Sequence, residues 1–343
     1  MAGKTSLYAT QLRWELMLRN RAYARGRAHV ESYGNARVIV YEPEGVRHGN
    51  FFDAAYAAIL ARPDWMRRFN KVHAQAARSL PKPQSDITRR WRELDSSMSS
   101  DALLMNVFCT PGVAESGAVR NMLGVDEGAG TVFEADPVFG TEPVFGWKAR
   151  VPLANGRFDR TEVDLRFGSL LVEAKLTESD FQTRSAVIVE SYRDFEEVFD
   201  RDRLPCVEIA TWRWMRASEF PENTSQELES LVVDPALYSA VDSIFRPPGE
   251  EGYASYQLIR NVLAAHATGC SFCVIHDQRR PDLREAWFEV MAAVRSAELR
   301  LRLKVLTWQE LAAVLPDGLQ EFLDIKYGIV APDKTPSPIE GAL

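Results

Sequence analysis

Apolar and polar positions change their spacing several times along the chain, and the changes divide it into helices and strands. Residues 8–29 predict a helix, with Leu12 and Leu16 one turn apart and arginines at 13, 19, 21, 25 and 27 on the polar side. A short strand over Arg37–Tyr41 and helices over 51–61 and 63–79 follow, the last stopped by Leu80-Pro-Lys-Pro-Gln84. Ser99 introduces a buried helix to Phe108, and Glu115–Leu123 extends or follows it. The spacing then falls towards two: Thr131–Phe139, Phe158–Phe167 and Leu170–Leu176 read as strands. After an insertion of mixed helical character at about 180–250, a helix over Tyr253–His266 and a strand over Cys270–His276 are expected. A helix at about 283–298, a strand over Leu303–Leu306, a helix opening at Thr307 and a frayed tail after Pro332 complete the series. Helix, strands, helix, strand is the order of an α/β domain with a mixed sheet. The expected division is a basic, mainly helical region over 1–95, an α/β domain with its insertion over 96–332, and a flexible tail over 333–343.

The segment Thr161–Leu176 carries the most chemistry. Gly168-Ser169 is a two-residue turn that pairs Phe167 with Leu170, so partner numbers sum to 337 and Asp164 faces Glu173, Glu162 facing Lys175. Val163, Leu165, Val172, Ala174 and Leu176 fall on the other, apolar face. Two carboxylates opposite one another have Cβ atoms only ~4.5–5.5 Å apart, which is unfavourable unless a cation lies between them. Mg²⁺ suits such a pair, and Lys175, two residues on, is placed to orient water or neutralise charge on a phosphate. The same alternation also fits the wet side of an ordinary hairpin, with Lys175 merely pairing with Glu162.

Charge sharpens this picture. The net charge of −7 hides a polarity: residues 1–92 hold 17 Lys+Arg against 7 Asp+Glu, and the remainder 24 against 41. A basic region beside an acidic one suits a polyanion and metal ions respectively, although a solvated arginine-rich surface fits the charge equally well. No run approaches the ~18 apolar residues needed to span a bilayer, so a cytoplasmic protein is expected. Four scattered cysteines exclude a disulfide framework. Cys270 and Cys273 stand three apart on a strand, on opposite faces, which argues against zinc. None of His29, His48, His73, His266 and His276 pairs at metal-ligand spacing. P-loop, dinucleotide-binding and nucleophile-elbow motifs are absent.

Asp164 with Glu173-Ala174-Lys175 resembles the signature of the PD-(D/E)XK, or restriction-endonuclease-like, nuclease superfamily, an Asp on one strand and (Asp/Glu)-x-Lys on the next. The run Glu173–Glu178, with Phe133-Glu134 upstream, is similar to an uncharacterised bacterial subgroup. The resemblance covers about residues 97–178 and 253–330; Val163 stands where the signature often has proline. It implies a restriction-endonuclease-like core, a mixed sheet flanked by helices, with catalytic Asp164, Glu173, Lys175 and Gln257. Asp164, Glu173, the Ala174 carbonyl and Glu134 are the implied metal ligands, with Asp101 or Glu115 the acid on the first core helix and Arg260 a phosphate contact. Mg²⁺, replaceable by Mn²⁺, is the implied cofactor and double-stranded DNA the implied partner, with no membrane and a homodimer allowed. Loop Asp277-Gln-Arg-Arg-Pro281 is expected at the surface, and Trp212 and Trp214 in the packing of the insertion. The alternative is an inactive nuclease-fold module that binds nucleic acid or protein.

Overall fold

The computed structural model describes residues 6–33, 37–73, 80–84, 86, 88–125, 142–209 and 250–339. At its centre is a five-stranded mixed sheet of β1 (Pro143–Lys148), β2 (Glu162–Phe167), β3 (Leu170–Ala174), β4 (Ser271–His276) and β5 (Leu303–Thr307), in the order β5-β4-β3-β2-β1. Strand β4 runs parallel to both β3 and β5, whereas β1, β2 and β3 are antiparallel neighbours. Every residue of β3 is buried, as both-face burial beside a parallel neighbour requires.

Two apolar layers sandwich the sheet. Leu165, Val172, Ala174 and Leu176 pack with Leu103, Leu104 and Val107 of helix α4 (Ser100–Phe108) and with Leu12 and Leu16 of α1 (Leu7–Tyr23). On the other side Leu171, Phe272 and Val274 meet Leu258, Ile259 and Val262 of α6 (Tyr256–Thr268) and Trp287 of α7 (Pro281–Ala293). Val163 joins this second layer, not the first. Cys270 and Cys273 are buried in opposite layers, as their spacing predicts.

Several elements differ from their expected bounds for local reasons. Helix α1 stops at Tyr23, shortly before Gly26 takes a φ of +77°. Helices α2 (Asp53–Ala61) and α3 (Pro63–Phe69) are separated by an extended Arg62, and α3 ends at Phe69 because Val72 bridges to Arg92. Helix α5 (Gly117–Leu123) is closed by Gly124 at φ +63°. The edge strand β1 lies beyond the expected Thr131–Phe139, which is outside the described residues. The expected last helix is two, α8 (Trp308–Ala312) and α9 (Asp317–Tyr327), parted at Pro316. The described part of the insertion is less helical than expected. It holds two four-residue helices, Ala186–Val189 and Phe195–Val198, and a three-stranded antiparallel sheet in which Arg184–Ser185 and Cys206–Ile209 flank Glu250–Tyr253. Past Pro332, Ser337 donates through N and Oγ to Asp324 at 2.8 and 2.6 Å, which ties down a segment expected to fray.

A third cluster joins the N-terminal region to α4: Phe51, Tyr56, Ile59, Trp65 and Phe69 pack with Ala102 and Met105. His48 is buried beside these rings and contacts Asp95 through Nε2 at 3.0 Å, while its Nδ1 accepts the Asn50 N–H at 3.1 Å. Burial pushes the imidazole below its ordinary 6.5 despite Asp95. The folded chain therefore refuses a proton that the unfolded chain accepts, so this contribution is intact above the unfolded pKa and is lost as pH falls towards the folded one. The melting temperature should drop between about pH 7 and pH 5.5 while the His48 ring stays neutral by NMR. An imidazole titrating at its ordinary pKa in the folded protein would contradict this.

Candidate active site

Gly168 opens the turn of the β2–β3 hairpin with φ +56°, a sign a glycine takes freely, and the register Phe167↔Leu170, Arg166↔Leu171, Leu165↔Val172 agrees with a constant sum of 337. The ladder ends there, one pair before Asp164 and Glu173 would face each other. Beyond it β3 continues along β4, with Glu173 beside Val274 and Ala174 beside Ile275, while β2 continues along β1, with Val163 beside Trp147. The carboxylate of Asp164 fills the gap: its Oδ2 accepts the Ala174 N–H at 2.8 Å. Expected main-chain pairing of the two acids is thus replaced by a side-chain bridge, and no hydrogen bond from the described residues reaches Asp164 Oδ1.

Glu173 is fully engaged by its own neighbours. Oε1 accepts from Lys175 Nζ at 2.7 Å and Oε2 from Asn261 Nδ2 at 2.8 Å. Lys175 therefore pairs with Glu173 and not with Glu162, whose partners are Arg68 at 3.1 Å and Lys148 at 4.0 Å. Lys175 is itself buried, with its ammonium 5.5 Å from the centre of the Phe181 ring. Burial works against its charge, but Glu173, Glu178 and Asp164 outweigh it and hold the amine protonated, well above its usual range. Asp164 shows the converse. Burial raises its carboxyl well above the ordinary carboxylate range, and the charges of Glu173 and Asp101 raise it further.

Asp101, in the first turn of α4, is thereby brought to the cluster, whereas Glu115 is exposed before α5. Its carboxyl is also raised, first by burial, with Arg68 opposing. Glu178 joins from the loop after β3, accepting the Leu176 N–H at 2.7 Å and the Ser100 hydroxyl. Asn261 had no signal in the sequence. It lies four residues after Gln257 on the same face of α6, and it makes the contact with Glu173 that Gln257 does not. Main-chain N–H groups of Tyr256 and Gln257 donate to Gln182 and Phe181 at 2.9 Å and set the depth of the helix. Arg260, expected to face phosphate, is buried: it holds Asn261 Oδ1 at 2.8 Å and the Glu162 carbonyl at 3.0 Å. The Asp277–Pro281 loop is likewise interior, with Asp277 and Arg280 fully buried. Glu134, Trp212 and Trp214 lie outside the described residues.

Among the described residues no three His, Cys, Asp or Glu side chains are arranged to hold a metal ion by themselves. The donor set is a two-carboxylate one, of the kind Mg²⁺ completes with water and substrate oxygens. Buried acids that raise one another's pKa are electrostatically short of positive charge, so they fit a cation. Part of the N-terminal positive excess is neutralised internally, Arg19 by Glu15, Arg21 and Arg37 by Glu31, Arg62 by Glu142 and Arg89 by Asp95. A cavity of about 420 Å³ opens elsewhere, against Tyr23, Arg27, His48, Phe52 and Phe322, and none of the clustered acids lines it. Among the described residues no helix is long and apolar enough to cross a membrane.

A mixed sheet whose central hairpin parts around two acids and a lysine defines an α/β protein of nuclease-like build. The chain belongs to the family described as Restriction Endonuclease associating with ARP, whose model matches residues 19–328. That span takes in α2, α3, the whole sheet and every clustered residue named above. No curated protein and no solved structure matches the chain.

Proposed function

We propose that this protein is a Mg²⁺-dependent nuclease of the PD-(D/E)XK type that hydrolyses phosphodiester bonds in double-stranded DNA. The observation that carries the reading is the parting of the hairpin at Asp164 and Glu173, which puts a carboxylate pair and a buried ammonium together at one point of the sheet. Asp164, through the oxygen not held by Ala174, and Glu173 would hold the ion, with the Ala174 carbonyl a further ligand and Mn²⁺ a substitute. A bound ion supplies Lewis-acid stabilisation of a phosphoryl oxygen and makes a water more acidic. Lys175, kept charged by its acidic neighbours, acts as a donor towards the attacking water or the phosphate, not as a proton acceptor. Asn261 fixes the rotamer of Glu173, and Gln257, on the same helix face, positions the water. Those N-terminal arginines not held by internal acids steer the duplex.

Incubation with plasmid and Mg²⁺ tests this. The parent protein should cut, chelation with EDTA should stop it, and Lys175→Ala should slow it by roughly 10²–10³-fold. Binding of plasmid without cutting by either protein would favour a binding module instead.

A further inference from the structure

The positive N-terminal region enters the acidic cluster at one residue. Arg68 of α3 has a side chain only 10% exposed; its Nη2 meets Asp101 and its Nη1 lies 3.1 Å from Glu162 Oε2. Asp101, Asp164 and Glu162 each raise the pKa of the guanidinium against the effect of its burial, so three acids share this one cation. Strand β1 closes over the pair at Gly146, where φ is +62°. A Cβ there would lie 3.3 Å from Glu162 Oε2 and 3.4 Å from Arg68 Nη1. Arg68 is thus packed in place, and a cation of this chain already stands beside the carboxylates that a metal ion would use.

We propose that Arg68 is the resident counter-cation of the cluster and that a divalent ion must compete with it for Asp101 and Asp164. This rests on the metal-site reading above. Like charges repel and both cations need the same oxygen lone pairs, so the guanidinium keeps the site folded and neutral while it weakens ion binding. Arginine suits the task better than lysine because its planar fork engages two carboxylates at once and its charge is permanent.

The test measures ion binding without nucleic acid and without turnover. Mn²⁺ titration followed by electron paramagnetic resonance should show about tenfold tighter binding in Arg68→Gln than in the parent, and parent-like binding in Arg68→Lys. Equal or weaker Mn²⁺ affinity in a folded Arg68→Gln overturns the proposal, as does equal tightening in Arg68→Lys, which would trace the effect to shape and not charge. The parent offers a second readout that needs no folded variant: the Arg68 Nε–H signal in NMR should move on addition of Mg²⁺. A signal unmoved at a Mg²⁺ concentration that supports cleavage overturns the proposal while leaving the nuclease reading intact. A parent that neither binds Mn²⁺ nor cuts overturns both.

Discussion

Replacing Asp164 by Asn should abolish cleavage and at the same time make the protein more stable. Burial and the charges of Glu173 and Asp101 hold the Asp164 carboxyl in an unfavourable place, so its ionised form destabilises the fold. Asparagine keeps an oxygen to accept the Ala174 N–H and removes the charge. The expected gain is about 0.5–2 kcal/mol, within the usual range of the trade between stability and activity. Activity should fall by roughly 10³-fold or more, since a carboxylate that binds the ion has no substitute in an amide.

Glu173→Gln should also abolish cleavage but with the opposite effect on stability. It leaves the Lys175 ammonium, 6% exposed, without the carboxylate 2.7 Å away. Breaking a buried pair by removing one partner costs about 3–5 kcal/mol. Thermal or urea unfolding of the two variants therefore separates them by sign. Destabilisation of Asp164→Asn comparable to that of Glu173→Gln would show that the Asp164 carboxylate is a structural bridge and nothing more.

The parts of this site that were legible in the sequence are those that local geometry decides. A glycine-first two-residue turn determines register, and alternation puts Leu165, Val172, Ala174 and Leu176 in one layer, as found. The end of the ladder was not legible, because it depends on β1 and β4 drawing β2 and β3 apart after Leu165 and Val172. The choice between Gln257 and Asn261 follows the same logic. Helical periodicity identifies the face of α6 but not its depth, which is set by hydrogen bonds to Phe181 and Gln182 from a distant loop. Arg68 and Asp101 sit 33 residues apart, on helices whose meeting depends on the third apolar cluster, so no pattern along the chain links them. A charge count over 1–92 did register the excess from which Arg68 comes, yet it read as surface what is partly interior.

Arg280→Ala should be the most damaging single change outside the acidic cluster. Arg280 is fully buried and links the loop after β3 to the start of α7. Its Nη1 donates to the carbonyls of Leu176 at 3.3 Å and Glu178 at 2.7 Å, its Nη2 to that of Ser179 at 3.2 Å, and its Nε and Nη2 form a fork with Asp282 at 2.9 and 2.8 Å. Alanine would strand three carbonyls and a carboxylate with no room for compensating side chains. An unsatisfied buried polar group costs about 1–3 kcal/mol and a broken buried ion pair about 3–5, so a loss of at least about 3–5 kcal/mol is expected in urea unfolding. Lysine in its place keeps the charge but has no fork to reach carbonyls and carboxylate together, so it should restore less than half of the loss. Cleavage should fall with stability, because the Leu176–Ser179 turn that Arg280 grips includes Glu178, whose charge helps keep Lys175 protonated. A mild effect of Arg280→Ala, below about 1 kcal/mol, would mean that the turn after β3 holds its shape without the clamp.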